Sequence, residues 1–176
     1  MNLRSLQHVI VAAKSLAEGK RIIVFGSASL LASYPELGSP SGPLATTYDA
    51  DILCEPFDEL TSVMLHEALG DNRAYHQIHG YHADVLRDSI LQTLPSGWRE
   101  RLVPVPDCEE AFAISSNDLA ALKLLVGRPK DIDLLIFLRE NAIVKAEAVE
   151  KLIHQLDIPI EAMPRLLSNF RMVFSS

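Results

Sequence analysis

Two aspartates one residue apart, Asp49 and Asp51, stand at the polar end of the run Tyr48-Asp49-Ala50-Asp51-Ile52-Leu53. That run reads as a strand, and on a strand residues two apart point to the same face. Two carboxylates side by side repel each other in any buried setting. A shared divalent cation relieves the repulsion, and Mg²⁺ takes carboxylate oxygens together with substrate phosphates. Taken alone, an Asp-x-Asp is better explained as a solvated strand end with Asp49 facing water. A third carboxylate changes the balance. Asp84 lies inside Tyr81-His82-Ala83-Asp84-Val85-Leu86, an otherwise apolar strand. A charge there is costly unless it is paired or metal-bound. If the two strands are neighbours, three carboxylates converge and could hold two Mg²⁺ ions for in-line phosphoryl transfer. The plainer alternative pairs Asp84 with an arginine or places it at a turn.

Upstream, Arg21-Ile22-Ile23-Val24-Phe25 ends at Gly26-Ser27, and a helical stretch from Ala28 to Tyr34 follows. Glycine lets the backbone come close to a ligand, and a helix start offers N–H groups to a phosphate. Ser27 adds a hydroxyl. Strand-Gly-Ser-helix turns are common, so this unit gains meaning only beside the aspartates. Downstream, Lys123 and Gly127-Arg128-Pro129-Lys130-Asp131-Ile132-Asp133 gather basic groups around a helix break. They suit phosphates. Equally, they suit a solvated helix start with Asp131 and Asp133 in the favourable first turn.

His76, His79 and His82 are three apart. Histidine clusters bind Zn²⁺, but a hairpin with His79-Gly80 at its turn does not gather all three. His76 and His82 could meet across its arms. We expect hydrogen-bonded or exposed histidines, with His82 a neighbour of the carboxylates on the strand face it shares with Asp84.

The elements that must position these groups follow from periodicity. Leu3, Leu6, Val9, Ile10, Ala13 and Leu16 predict a helix over 3–18. Arg21–Phe25 and Tyr48–Leu53 read as strands. Residues 35–47 read as a loop, where four Gly/Pro residues in Gly38-Ser39-Pro40-Ser41-Gly42-Pro43 exclude regular structure. Asp58 can cap a helix to Leu69. Ala74–Ile78 and Tyr81–Leu86 read as paired strands, and Arg101–Val105 as a further one. Beyond Ser116 the pattern is helical: to Val126 with Ser116 or Asn117 as cap, then 130–140, 145–155 and 160–173. We therefore expect an α+β fold, a small mixed sheet flanked by helices. Residues 1–113 would form the core and 114–176 a helical region completing the cleft.

The chain has 176 residues, 48% hydrophobic and 22% charged, with a net charge of −7. A chain of this size buries a core without disulfides or a structural metal. Cys54 and Cys108 form no Cys-x-x-Cys pair and read as small apolar residues. Residues 1–110 hold 8 Lys/Arg against 15 Asp/Glu, and residues 111–176 hold 8 of each. Acidity on this scale suits non-specific nucleic-acid binding poorly, yet permits one nucleotide held through a metal. No apolar run has the length of a membrane span, and the first residues do not read as a signal peptide. The expected setting is the cytoplasm, with no membrane partner.

Gly26-Ser27, a long loop and Asp49-Ala50-Asp51 together resemble the signature of the nucleotidyltransferase (DNA polymerase β-like) superfamily. Asp84, Leu94-Pro95-Ser96-Gly97-Trp98-Arg99-Glu100-Arg101-Leu102-Val103, Asp118-Leu119-Ala120, Lys123 and Gly127-Arg128-Pro129-Lys130-Asp131 resemble, in that order, an uncharacterised bacterial nucleotidyltransferase branch similar to the AbiEii abortive-infection toxins. The likeness covers residues 20–141. It implies that Gly26 and Ser27 hold a nucleoside triphosphate, that Asp49 and Asp51 ligate Mg²⁺ (or Mn²⁺), and that Asp84 is the third carboxylate and the base. Lys123 would be catalytic, and Arg128, Lys130 and Asp131 would line the nucleotide site. It also implies an acceptor hydroxyl on RNA, protein or a small molecule, a toxin or defence role, and an antitoxin partner. The chain departs from the pattern in one respect: 21 residues separate Ser27 from Asp49, where many members have about a dozen. A Gly/Pro loop absorbs such an excess at little entropic cost.

Three readings compete. The first is a Mg²⁺-dependent nucleotidyltransferase. The second is an inactive module of the same fold that binds a nucleotide or a partner protein. The third is a His/Asp metal hydrolase, which would depend on His76 and His82 and be indifferent to Asp49.

Overall fold

The computed structural model describes residues 1–175. They divide into two compact units, one of residues 1–88 and 102–114, the other of residues 89–101 and 115–175.

The first unit holds the sheet. Helix α1 (Leu3–Leu16) is capped by Asn2, whose side chain accepts the Ser5 N–H, and it buries Leu6, Val9, Ile10 and Ala13. That is one stripe at helical spacing. Strand β1 (Arg21–Val24) lies at the centre, strand β2 (Asp49–Glu55) beside it, and strand β3 (His82–Val85) beyond. On the other side of β1 come β5 (Ala111–Ala113) and then β4 (Val103–Pro104), giving the order β3-β2-β1-β5-β4. The sheet is mixed, as expected. β1 runs antiparallel to β2 and parallel to β5, β2 runs parallel to β3, and β4 runs antiparallel to β5. Ile22, Ile23, Val24, Ile52 and Leu53 are inaccessible to solvent, because central strands are covered on both faces. Arg21 and Glu55 are cross-strand partners and form an ion pair, Nε to Oε2 2.6 Å, which fixes register at the sheet end. Helix α2 (Glu59–Leu69) starts at Asp58, whose carboxylate accepts the Thr61 N–H at 2.8 Å.

Several expectations are corrected here. Ala74–His79 is a helix, α3, ended by Gly80 at φ 74°. The expected first arm of a hairpin is therefore absent, since a glycine in the left-handed region closes a helix. The turn after Gly26 is a 3₁₀ helix, Ser27–Ala32, and Pro35–Gly38 forms a second 3₁₀ turn within the segment expected to be irregular. That segment is packed: Leu37 and Leu44 are buried, and the Leu44 N–H donates to Leu37 O at 3.0 Å. Of the strand expected at 101–105, only Val103–Pro104 pairs. Pro104 has no N–H for a ladder, and β4 is an edge strand, where proline is tolerated.

The second unit is helical: α4 (Ser116–Val126), α5 (Pro129–Glu140), α6 (Ala146–Ile153) and α7 (Met163–Phe174). The cap of α4 is Ser115, not Ser116 or Asn117; its side chain accepts the Asp118 N–H. Gly127, at φ 64°, ends α4. The buried Asn169 amide packs against Gly127 where a Cβ would stand and donates to Leu124 O at 2.8 Å. Trp98 is buried in this unit with the Arg99 guanidinium 4.3 Å from its ring centroid. Cys54 is buried and Cys108 half-buried, both as free thiols. Burial pushes the Cys54 thiol up to about 11. No helix among the described residues is long and apolar enough to cross a membrane.

Candidate functional site

The carboxylates are positioned by strand register. β2 and β3 are parallel with Asp49 opposite His82 and Asp51 opposite Asp84. Asp49 and Asp51 share a face by strand alternation, and Asp84 joins that face as the cross-strand neighbour of Asp51. Each of the three offers an oxygen within 4.8 Å of the others. Asp49 and Asp51 are half-buried, Asp84 exposed. Three carboxylates at this spacing supply hard oxygen donors and could hold a divalent cation.

Gly26 closes the same site from β1. The Phe25 N–H donates to Asp51 O at 2.8 Å, which continues the β1–β2 ladder to the aspartate itself. Gly26 has φ 59°, and a Cβ there would overlap Asp51 Oδ2. Its lack of a side chain is what admits the Asp51 carboxylate. The turn is held by Ser29, buried, whose hydroxyl donates to Gly26 O at 2.8 Å. Ser27, half-buried, opens the 3₁₀ helix. The 21 residues between Ser27 and Asp49 thus do not hold the two segments apart, because β1 and β2 pair directly and the intervening chain folds back on Leu37 and Leu44.

The family of the chain fits this site. A family model described as "Nucleotidyltransferase of unknown function (DUF6036)" matches residues 2–167. The chain belongs to that family. No curated protein and no solved structure shows significant similarity to it.

In this nucleotidyltransferase-family chain the basic residues of the second unit form a cluster of their own. Lys123 is buried, and its Nζ donates to Asp131 Oδ1 at 2.7 Å. Arg128 Nε donates to Asp131 Oδ2 at 2.6 Å. Asp131 is 1% exposed. Burial pushes its carboxyl up, but the hydrogen bonds from Arg128 and Lys123 outweigh burial and hold it below the usual value. Lys130 is exposed on the first turn of α5.

Two features of the chain escaped the sequence. Asp118 is fully buried, and Arg101 binds it in a fork, Nε to Oδ2 3.0 Å and an Nη to Oδ1 2.8 Å. Their spacing of 17 residues offers no local signal. Asp71, just beyond α2, joins His76 and His82, which were expected to meet across a hairpin. A helix at 74–79 was the missing information there. His82 was expected beside the carboxylates, and its Nε2 is 3.4 Å from Asp84 Oδ1.

Proposed function

We propose that this chain moves a nucleotidyl group from a nucleoside triphosphate to a hydroxyl acceptor, with Mg²⁺ or Mn²⁺ held by Asp49, Asp51 and Asp84. One observation carries the reading: in a chain of a nucleotidyltransferase family, three carboxylates lie within 4.8 Å of one another beside a glycine that leaves room for one of them. When bound, the dication supplies charge neutralisation at the phosphates. Asp49 and Asp51, fixed on β2, serve as its ligands. Asp84 takes the proton of the acceptor hydroxyl as that oxygen bonds the α-phosphorus and pyrophosphate leaves. Gly26 and Ser27 border the nucleotide. For the second unit the sequence resemblance extends the proposal to Lys123, Arg128, Lys130 and Asp131, of which Asp131 holds Lys123 and orients Arg128. Catalysis of this kind is positioning and electrostatics more than covalent chemistry. The acceptor is RNA, a protein or a small molecule. The sequence resemblance extends the proposal to a toxin or defence role with an antitoxin partner.

The test is a calorimetric titration with each of the four ribonucleoside triphosphates, with and without Mg²⁺, on wild type and on Asp49→Asn/Asp51→Asn. Mg²⁺-dependent binding that vanishes in the double variant supports the site, and a labelled-acceptor screen follows. Binding without incorporation into any acceptor favours the inactive module. No binding by folded wild type overturns the proposal.

A further inference from the structure

We infer that Asp71, His76 and His82 form a second cation site, separate from the carboxylates and suited to a borderline dication of the Zn²⁺ class. The site arises from the element the sequence pattern did not predict. Helix α3 carries His76, Gly80 reverses the chain in a left-handed cap, and β3 returns with His82 at its start. The His76 and His82 rings end 4.6 Å apart between centroids. Asp71 Oδ1 is 2.9 Å from His76 Nδ1. Each of the three residues offers a donor atom within 4.8 Å of the others.

A second observation points to a ligand. His82 Nδ1 is closed to solvent and has no hydrogen-bond partner among the described residues, although buried polar atoms are as a rule satisfied. The other ring nitrogen, Nε2, is 3.4 Å from Asp84 Oδ1. A metal-bound histidine characteristically donates its second N–H to a carboxylate. A cation on Nδ1 leaves the Nε2–H directed at Asp84, so both nitrogens acquire a role. Two imidazoles and one carboxylate are a donor set of zinc sites with an open fourth position, and Mg²⁺ prefers oxygen ligands. Through His82 the site adjoins the carboxylate cluster, but it stands on its own atoms and does not require the proposed transfer reaction.

The experiment is a Zn²⁺ titration of the chelator-stripped full chain in millimolar Mg²⁺, repeated with Co²⁺ and read by its visible absorption. The expected result is one equivalent bound at micromolar or tighter affinity, with a tetrahedral Co²⁺ spectrum. Asp71→Asn and His76→Asn change exposed or half-exposed side chains, so their circular dichroism should match wild type. Each is expected to weaken Zn²⁺ by at least about tenfold, since losing even a group that only supports a ligand costs that much. Asp49→Asn/Asp51→Asn should bind Zn²⁺ as wild type does, whatever becomes of its nucleotide binding. Undiminished Zn²⁺ affinity in both the Asp71 and His76 variants, or loss of Zn²⁺ in the Asp49/Asp51 variant, would overturn the inference. So would the absence of saturable binding to wild type.

Discussion

The chain concentrates charge in two places that differ in kind. On β2 and β3, strand register brings three like charges within 4.8 Å of one another. Around the start of α5, two cations share one carboxylate, with Lys123 and Arg128 both on Asp131. The second arrangement accounts for itself: burying an ion is costly, and opposite charges with hydrogen bonds offset that cost. The first sets like charges against one another, and gathered carboxylates repel. A cluster that works against stability points to function, whereas one that neutralises itself is consistent with stability alone.

Four predictions break or sharpen this contrast. The largest effect is expected from Asp49→Asn/Asp51→Asn. Metal-dependent nucleotide binding should be abolished, and any transfer rate should fall on the order of a hundredfold or more, the scale of removing an electrostatic stabiliser. The urea midpoint should stay the same or rise. A fall in stability with nucleotide binding intact would reverse the assignment of this cluster.

Next comes Asp131→Ala, which leaves Lys123 buried without its carboxylate. It should cost about 3–5 kcal/mol in denaturant unfolding, whereas Lys123→Met/Asp131→Leu should be close to neutral. A double variant as unstable as the single one would show that the ion cluster contributes more than mutual neutralisation.

Gly26→Ala places a Cβ on the Asp51 carboxylate at a positive φ. We expect a loss of about 1–3 kcal/mol, the usual scale of local backbone strain, together with weaker Mg²⁺ binding by calorimetry. Wild-type Mg²⁺ affinity in this variant would mean that Asp51 can move without consequence for the site.

The smallest effect concerns pH. The Asp131 carboxyl is held below its ordinary value in the fold. Its contribution is therefore complete above the unfolded carboxylate range and is lost as pH falls through the folded value. Stability should decline below about pH 4, by at most about 1.4 kcal/mol per pH unit for this one proton. Asp131→Asn should remove that component of the acid slope. An identical slope in the variant would place the acid sensitivity elsewhere.

What was legible in the sequence was local. Alternation on Tyr48–Leu53 put Asp49 and Asp51 on one face, the stripe from Leu6 to Ala13 gave α1, and Asp58 marked the start of α2. The glycine at 127 ended α4 where expected. These signals lie within a few residues, where backbone geometry and capping chemistry act. Ala74–Ile78 misled for the same reason: with so few residues, periodicity alone does not separate strand from helix, and the Gly80 cap and the return into β3 decided it. β5 escaped because Ala111-Phe112-Ala113 is too short to show a pattern. It exists through pairing, with Ile22 N–H on Glu110 O and Ile114 N–H on Val24 O at 2.9 and 3.0 Å.

The sequence by itself determined the residue types available for chemistry, the alternation that aligns Asp49 with Asp51, and the helical character beyond residue 115. Only the tertiary structure decided that Asp84 stands opposite Asp51, that Gly26 admits the Asp51 carboxylate, that Arg101 reaches Asp118, and that Asp71, His76 and His82 meet. Each of these depends on which strands pair, in what register, and where the chain reverses. Those choices are settled by burial of the whole core and closure of every backbone hydrogen bond, which no local stretch of sequence contains.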